Sequence, residues 1–97
     1  MNTTEIKYIM SLVSDVMDLY HIDGRVDYDS RGRHTSVVIE DYGILHNNEP
    51  VAYHPRRLDD FMSELLVVLE EYFGEFSYLV PHVMLDGDDI FIDITDH

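Results

Sequence analysis

The chain has 97 residues, of which 45% are hydrophobic, 20 are acidic and six are basic, so its formal net charge is -14. This length fits one domain spanning residues 1–97, and the hydrophobic fraction is too high for a disordered acidic tail. The absence of cysteine excludes a disulfide framework, a thiolate zinc site and a cysteine nucleophile. A negative field of this size also disfavours direct binding to nucleic acid or to anionic lipid.

The first residues contain no basic segment followed by an apolar one, which is the pattern of a secretory signal peptide. No apolar run in the chain approaches the roughly 18 residues that a membrane-spanning helix needs. We therefore expect a cytoplasmic protein that does not contact a membrane.

Residues 4–21 are predicted to form an amphipathic helix, because apolar residues recur there at spacings of three and four. Asn2, followed three residues later by Glu5, resembles a capping arrangement at the start of this helix. Gly24 is placed to adopt the left-handed conformation after the last helical turn. Both ends of the helix are therefore marked in the sequence.

Two stretches that follow are typical of β-structure. Residues 25–29 alternate between polar and apolar types, and residues 34–42 are rich in β-branched types. With a glycine-containing turn at residues 30–33, they predict a β-hairpin. A further short pair of strands is predicted at residues 44–46 and 51–53.

A second helix is predicted over residues 58–73, which carry the broadest apolar face in the chain. Pro55 lies near its start and Gly74 lies just past its end, as is common at helix termini. Asp59 and Asp60 are predicted to lie in the first turn, where carboxylates interact favourably with the helix dipole.

A last hairpin is predicted from residues 76–85 and 89–95, with a two-residue turn at Asp86 and Gly87. Proline cannot donate a hydrogen bond to a neighbouring strand. Pro81 therefore predicts that the first strand of this hairpin lies at a sheet edge or carries a bulge.

The succession of elements predicts an α+β fold, in which two helices pack on a largely antiparallel β-sheet. The expected order is α-β-β-(β-β)-α-β-β, where the parentheses mark the short pair of strands.

The charge is distributed unevenly along the chain. Residues 1–57 contain nine acidic residues and all six basic ones, for a net charge of -3, whereas residues 58–97 contain eleven acidic residues, no Lys and no Arg, for a net charge of -11. Arg25, Arg31 and Arg33 are expected to keep the first hairpin near neutral. Such asymmetry between two halves indicates an interaction surface in the second half.

A helical wheel of the second helix places acidic residues at nearly all of its exposed positions. The candidate partner-binding residues there are Asp59, Asp60, Glu64, Val67, Glu70 and Glu71. A solvated helix face would explain this pattern without a partner. However, no Lys or Arg stands four residues after any of these carboxylates to relieve the repulsion among them. In addition, Val67 is apolar at an exposed position.

The last strand alternates isoleucines with acidic residues and a phenylalanine. The candidate partner-binding residues of this hairpin are Asp86, Asp88, Asp89, Phe91 and Asp93. Carboxylates suit Arg and Lys and an aromatic ring suits stacking, so this face fits a basic protein groove. The alternative is that Phe91 packs under a helix. We expect the acidic strand to lie beside the acidic helix.

No motif for metal binding or catalysis is present. Asp27, Asp29 and Gly32 resemble the start of an EF-hand loop, but Val38 stands where the twelfth-position acid is needed. If the short pair turns at residues 47–50, two histidines of the pair lie on opposite faces and cannot share a zinc ion; they are His46 and His54. We predict no metal site, no cofactor and no enzymatic activity.

The function that this pattern favours is that of a small acidic inhibitor or decoy, which binds the basic nucleic-acid-binding surface of another protein. In composition the chain is similar to phage anti-restriction and anti-CRISPR proteins and to the immunity proteins of nuclease toxins. The similarity covers shortness and acidity, and no family motif accompanies it. A row of carboxylates would then imitate a row of phosphates.

The alternative is a non-catalytic interaction or structural module, whose acidity serves only solubility and which could be a homodimer. The acidity of an ordinary halophile protein is a related explanation. An enzyme of unknown chemistry is a third, for which no feature argues.

Overall fold

The computed structural model describes residues 1–31, 34–46, 49–51, 55–74 and 79–96. In these residues the chain forms a helix, three strands, a second helix and two strands, which confirms the predicted α+β fold. The elements are α1 (Thr3–Tyr20), β1 (Ile22–Arg31), β2 (His34–His46), β3 (Glu49–Val51), α2 (Pro55–Phe73), β4 (Leu79–Asp86) and β5 (Asp89–Asp96).

The strands form one antiparallel sheet in the spatial order β1-β2-β5-β4. On the side of β2 away from β1, residues 34–39 pair with β5 and residues 44–46 pair with β3. The position of β4 at the end of this order confirms the edge location that Pro81 predicted. The last strand in the sequence, β5, is therefore central in the sheet.

Both helices pack on the same face of the sheet, and the core lies between the two layers. Side chains of α1, α2, β2 and β5 meet there in a single buried cluster, which includes Ile9, Val13, Val37, Ile39, Leu58, Phe61, Leu65, Leu69, Ile90, Ile92 and Ile94. Along the layer, α1 contacts β1 and α2 contacts β4. The opposite face of the sheet is left uncovered by either helix. Within the described residues, no helix combines the length and the apolar character needed to cross a membrane.

The two ends of α1 differ in how well the sequence predicted them. The Asn2 side chain accepts a hydrogen bond from the backbone N–H of Glu5 at 2.8 Å, so the predicted cap is confirmed. At the other end His21 takes the left-handed conformation, with a φ of 55°. The prediction that Gly24 ends the helix is wrong, because β1 begins at Ile22.

Gly24 instead allows a close approach between β1 and β2. It lies where the pairing of these strands shifts register, and a Cβ on Gly24 would stand 2.6 Å from Cγ2 of Ile39. Ile39 is fully buried, so its side chain would have to shift within the packed core to admit a Cβ. The glycine is therefore required by packing inside the sheet.

The first hairpin is longer than predicted. β1 extends to Arg31, which pairs with His34, so residues 30 and 31 of the predicted turn belong to the strand. Residues 32–33 lie outside the described residues. The predicted strand at residues 44–46 is the end of β2.

The short pair of strands is present in a different register. Ile44 faces Val51 and His46 faces Glu49, so β3 spans Glu49–Val51 and not residues 51–53. Residues 47–48 of the predicted turn lie outside the described residues, as does His54.

In the last hairpin Asp86 pairs with Asp89, so the loop residues are Gly87 and Asp88. The predicted turn at Asp86 and Gly87 is wrong by one position. Gly87 has a φ of 61°, and a glycine with positive φ at the first loop position is the pattern of a type II′ turn.

The second helix has the predicted apolar face, and Gly74 follows its last residue. It begins at Pro55, which agrees with the prediction that this proline lies near its start, and its first turn contains no acidic residue. The prediction that Asp59 and Asp60 interact with the helix dipole from the first turn is therefore wrong.

Candidate partner-binding surfaces

The helical acidic surface is the side of α2 that points away from the core. It consists of the six residues predicted for this helix: Asp59, Asp60, Glu64, Val67, Glu70 and Glu71. Glu64 is half-buried and the other five are exposed, including Val67 with 46% of its surface accessible. The apolar side of the same helix is buried at Leu58, Phe61, Leu65, Leu69 and Phe73. The burial of that side fixes the direction in which the carboxylates point.

The five carboxylates of the helical acidic surface have no partner within the described part of the chain. None of them forms a salt bridge or a side-chain hydrogen bond with any residue that the structure describes. The sequence has no Lys or Arg after Arg57. The negative charge of this surface is thus available to a cation from outside the chain.

The uncovered sheet face carries the outward-pointing residues of the strands. In β5, three isoleucines point into the core and are at most 1% exposed, whereas Asp89, Phe91 and Asp93 alternate with them and point outward, half-buried. Phe91 therefore lies on the uncovered sheet face and does not pack under a helix. The alternation predicted for this strand is present.

Cross-strand pairing aligns three apolar side chains on this face, which we call the sheet stripe: Val38, Phe91 and Met84. Val38 pairs with Phe91, and Phe91 pairs with Met84. Val38 and Phe91 are half-buried, and Met84 is 47% exposed. The stripe crosses β2, β5 and β4 and is one residue wide.

Polar residues lie on both sides of the sheet stripe. One polar row lies two positions from the stripe along each strand. It consists of Asp29, Ser36, Asp93 and His82, which pair with one another across the sheet. In the other direction are Arg25 and Glu40, which pair, and the hairpin pair Asp86 and Asp89. The stripe is therefore bordered by carboxylates on both sides.

Several of these carboxylates are neutralised within the sheet. Arg25 forms a salt bridge and a hydrogen bond with Glu40, and this hydrogen bond, together with the charge attraction, raises the pKa of the Arg25 guanidinium above its ordinary value. Arg31 pairs with Asp29, with Nε 3.1 Å from Oδ2. Two of the three arginines of the first hairpin thus each pair with a carboxylate, and Arg33 lies outside the described residues.

A polar cluster that sequence analysis missed joins β2 to β5. Ser36 Oγ donates a hydrogen bond to Asp93 Oδ1 at 2.6 Å, and His34 Nε2 lies 3.2 Å from Ser36 Oγ and 3.4 Å from Asp93 Oδ1. It borders an open depression of about 320 Å³. Ser36 and Asp93 are 57 positions apart, so no local spacing could reveal the cluster before the β2–β5 register was known.

The cluster contains the residue types of a hydrolase triad in a different arrangement. In a triad the imidazole lies between serine and carboxylate and uses one ring nitrogen for each. Here Ser36 donates directly to Asp93, and the same nitrogen of His34 approaches both. The Ser36–Asp93 hydrogen bond therefore links β2 to β5. The imidazole of His34 does not lie between the serine and the carboxylate, as the general base of a triad does.

The two candidate surfaces face in opposite directions, which corrects the expectation that helix and strand lie side by side. The apolar side of α2 packs against Ile90, Ile92 and Ile94 of β5. The acidic side of α2 therefore points away from the sheet, and Asp89 and Asp93 point away from the helices. The predicted residues form two separate surfaces and not one continuous row.

Among the residues that the structure describes, no group of three or more metal-ligating side chains is placed to hold an ion. No protein-family model matches the chain, and no match is found among curated proteins.

Proposed function

We propose that this chain is a non-catalytic acidic inhibitor, which uses the helical acidic surface to occupy the basic nucleic-acid-binding surface of another protein. The observation that carries the proposal is the row of five carboxylates on α2, all accessible and all without a described cation. Like charges on one helix repel, by a few tenths of a kcal/mol per neighbouring pair. A cationic partner would relieve that repulsion.

The spacing of these carboxylates supports imitation of a phosphate backbone. From Asp59 to Glu71 the helix rises about 18 Å, which gives on average one carboxylate per about 4.5 Å. One strand of B-DNA carries one charge per about 3.4 Å of axis. The helical acidic surface therefore approaches the charge density of a single DNA strand, and Val67 adds an apolar contact among the charges.

The test is capture of partners from the native host, followed by competition with DNA. We expect the immobilised chain to retain a basic nucleic-acid-binding protein at about 0.1 M salt, to lose it at about 1 M salt, and to release it when duplex DNA is added. The triple variant Asp60→Lys, Glu64→Lys and Glu71→Lys should weaken this binding by at least about a hundredfold, because three attractions become repulsions.

The matched control places the same charge change elsewhere. Asp15, Asp18 and Asp23 are exposed acids outside the helical acidic surface, and their replacement by Lys changes the net charge equally. If both triple variants lost binding to the same extent, only the total charge would matter and the proposed surface would be wrong. Self-association that persists at about 1 M salt, with no DNA-competed partner, would instead indicate the structural module.

A further inference from the structure

We infer that the uncovered sheet face is a second docking surface, whose occupant is an amphipathic helix of another protein with Arg or Lys on both sides of an apolar ridge. This inference does not depend on the proposed function, because the helical acidic surface lies on the other side of the molecule. It rests on the shape of the sheet stripe and on the charges beside it.

The dimensions of the sheet stripe suit one helix. Neighbouring strands are about 4.8 Å apart, so Val38, Phe91 and Met84 span about 10 Å between backbones. An apolar ridge of two to three helical turns covers such a length. On β1 the same row continues with Asp27, which pairs with Val38, so the stripe ends at β2.

The carboxylates beside the stripe are placed to receive cations. Each row of carboxylates lies about 7 Å from the stripe, because residues on one face of a strand repeat every two positions. On a docked helix, the side chains beside the apolar ridge start about 5 Å from the helix axis and reach outward, so they can meet these rows. Asp86 has no described partner, and Asp89 and Asp93 each use one oxygen, Oδ1, for contacts inside the protein. Each therefore keeps at least one oxygen for an Arg or Lys of the incoming helix.

The same charges argue against the other occupants of such a face. A second copy of the chain would bring carboxylates against carboxylates, since each copy carries a formal charge of -14. Nucleic acid would be repelled for the same reason. A broad apolar surface would bury the flanking carboxylates without partners, which is costly.

The probe for this inference is a synthetic helical peptide of 15 residues, with leucines along one ridge and arginines on both flanks. An isomeric peptide of identical composition has its leucines spread around the helix. We expect the ridged peptide to bind at least about tenfold more tightly at 0.15 M salt, and to shift the amide resonances of the sheet stripe and of its flanking rows. Equal affinity for the two peptides would overturn the inference.

Two neighbouring residues of β4 provide a matched pair of variants. Met84 is 47% exposed on the uncovered sheet face, and Leu85, which is 42% exposed, points to the other side, where it pairs with Ile90. We expect Met84→Ser to weaken binding of the ridged peptide about five- to tenfold and Leu85→Ser by less than about twofold. Equal effects of the two variants would overturn the inference.

The remaining outcomes separate this inference from the proposed function. The triple charge reversal on α2 should change affinity for the ridged peptide by less than about threefold, since screening limits its reach at this salt. If that variant abolished peptide binding and Met84→Ser did not, the peptide would occupy the helical acidic surface. The docking inference would then be wrong, and the proposed function would be unaffected. Self-association that Met84→Ser abolishes would make a second copy the occupant and would also overturn it.

Discussion

The helical acidic surface and the uncovered sheet face are both rich in carboxylates but differ in how those carboxylates are held. On α2 the carboxylates stand without described partners. On the sheet, Glu40 pairs with Arg25, Asp29 pairs with Arg31, and Asp93 accepts from Ser36. Cross-strand neighbours come from distant parts of the chain and can bring an arginine to a carboxylate, whereas neighbours on a helix come from the same stretch of sequence. Within the described residues, cross-strand pairing gives several sheet carboxylates a partner, whereas the carboxylates of α2 have none.

The largest expected effect is a loss of stability when the packing of α2 on the sheet is weakened. Phe61 is fully buried, so Phe61→Ala should lower the free energy of unfolding by about 3–5 kcal/mol. Val67, on the opposite side of the same helix, should tolerate alanine to within about 0.5 kcal/mol. Urea denaturation followed by circular dichroism measures both. A similar loss for the two variants would contradict the orientation of α2.

An intermediate effect is expected inside the first hairpin, which supplies the arginines of the sheet face. Gly24→Ala should destabilise the protein by about 1–3 kcal/mol, because the new Cβ would meet buried Ile39. Gly43 of β2 is the control, since a Cβ there has nothing within 4 Å. Gly43→Ala should be neutral or stabilise by up to about 1 kcal/mol. Thermal unfolding would show whether only the first variant loses stability, and equal shifts would contradict the close approach.

The smallest expected effects are changes in stability that differ in sign between the two surfaces. Glu64→Gln removes a repulsion from Asp60, four residues earlier, and should stabilise the protein by a few tenths of a kcal/mol. Glu40→Gln removes the partner of Arg25 and should lower stability. The midpoints of urea unfolding at 0.02 M salt measure the two changes, and both should shrink at 1 M salt as screening increases. Changes of the same sign would mean that pairing does not distinguish the two surfaces.

Features that depend on neighbours in the chain were predicted well from the sequence. The periodic apolar face of α2, the Asn2 cap of α1 and the edge position that follows from Pro81 are all local consequences of side-chain type. The burial of Ile90, Ile92 and Ile94 also follows from the two-residue period of a strand.

Features that depend on register and layer geometry were not predictable from the sequence. Gly24 resembled a helix terminus because it follows α1 closely, but its role is set by Ile39 on the neighbouring strand. The Ser36–Asp93 contact requires the β2–β5 register. The opposed directions of the two acidic surfaces become evident only when the apolar face of α2 and the isoleucines of β5 are placed in one buried cluster, since each periodic pattern alone does not relate the helix to the strand.

The central place of β5 in the sheet has a consequence for how the chain folds. β2 meets its partner β5 across 50 to 60 intervening residues, since Ile39 pairs with Ile90 and His34 with Thr95. Contacts of such sequence separation slow folding, because a long loop must close before the pairing stabilises it. We expect folding on a millisecond-to-second timescale, typical of sheets with non-local pairing, although each helix and hairpin can form locally much faster. Removal of residues 89–96 would leave β2 and β4 without the strand between them, so a chain emerging from the ribosome cannot close its sheet until β5 is free.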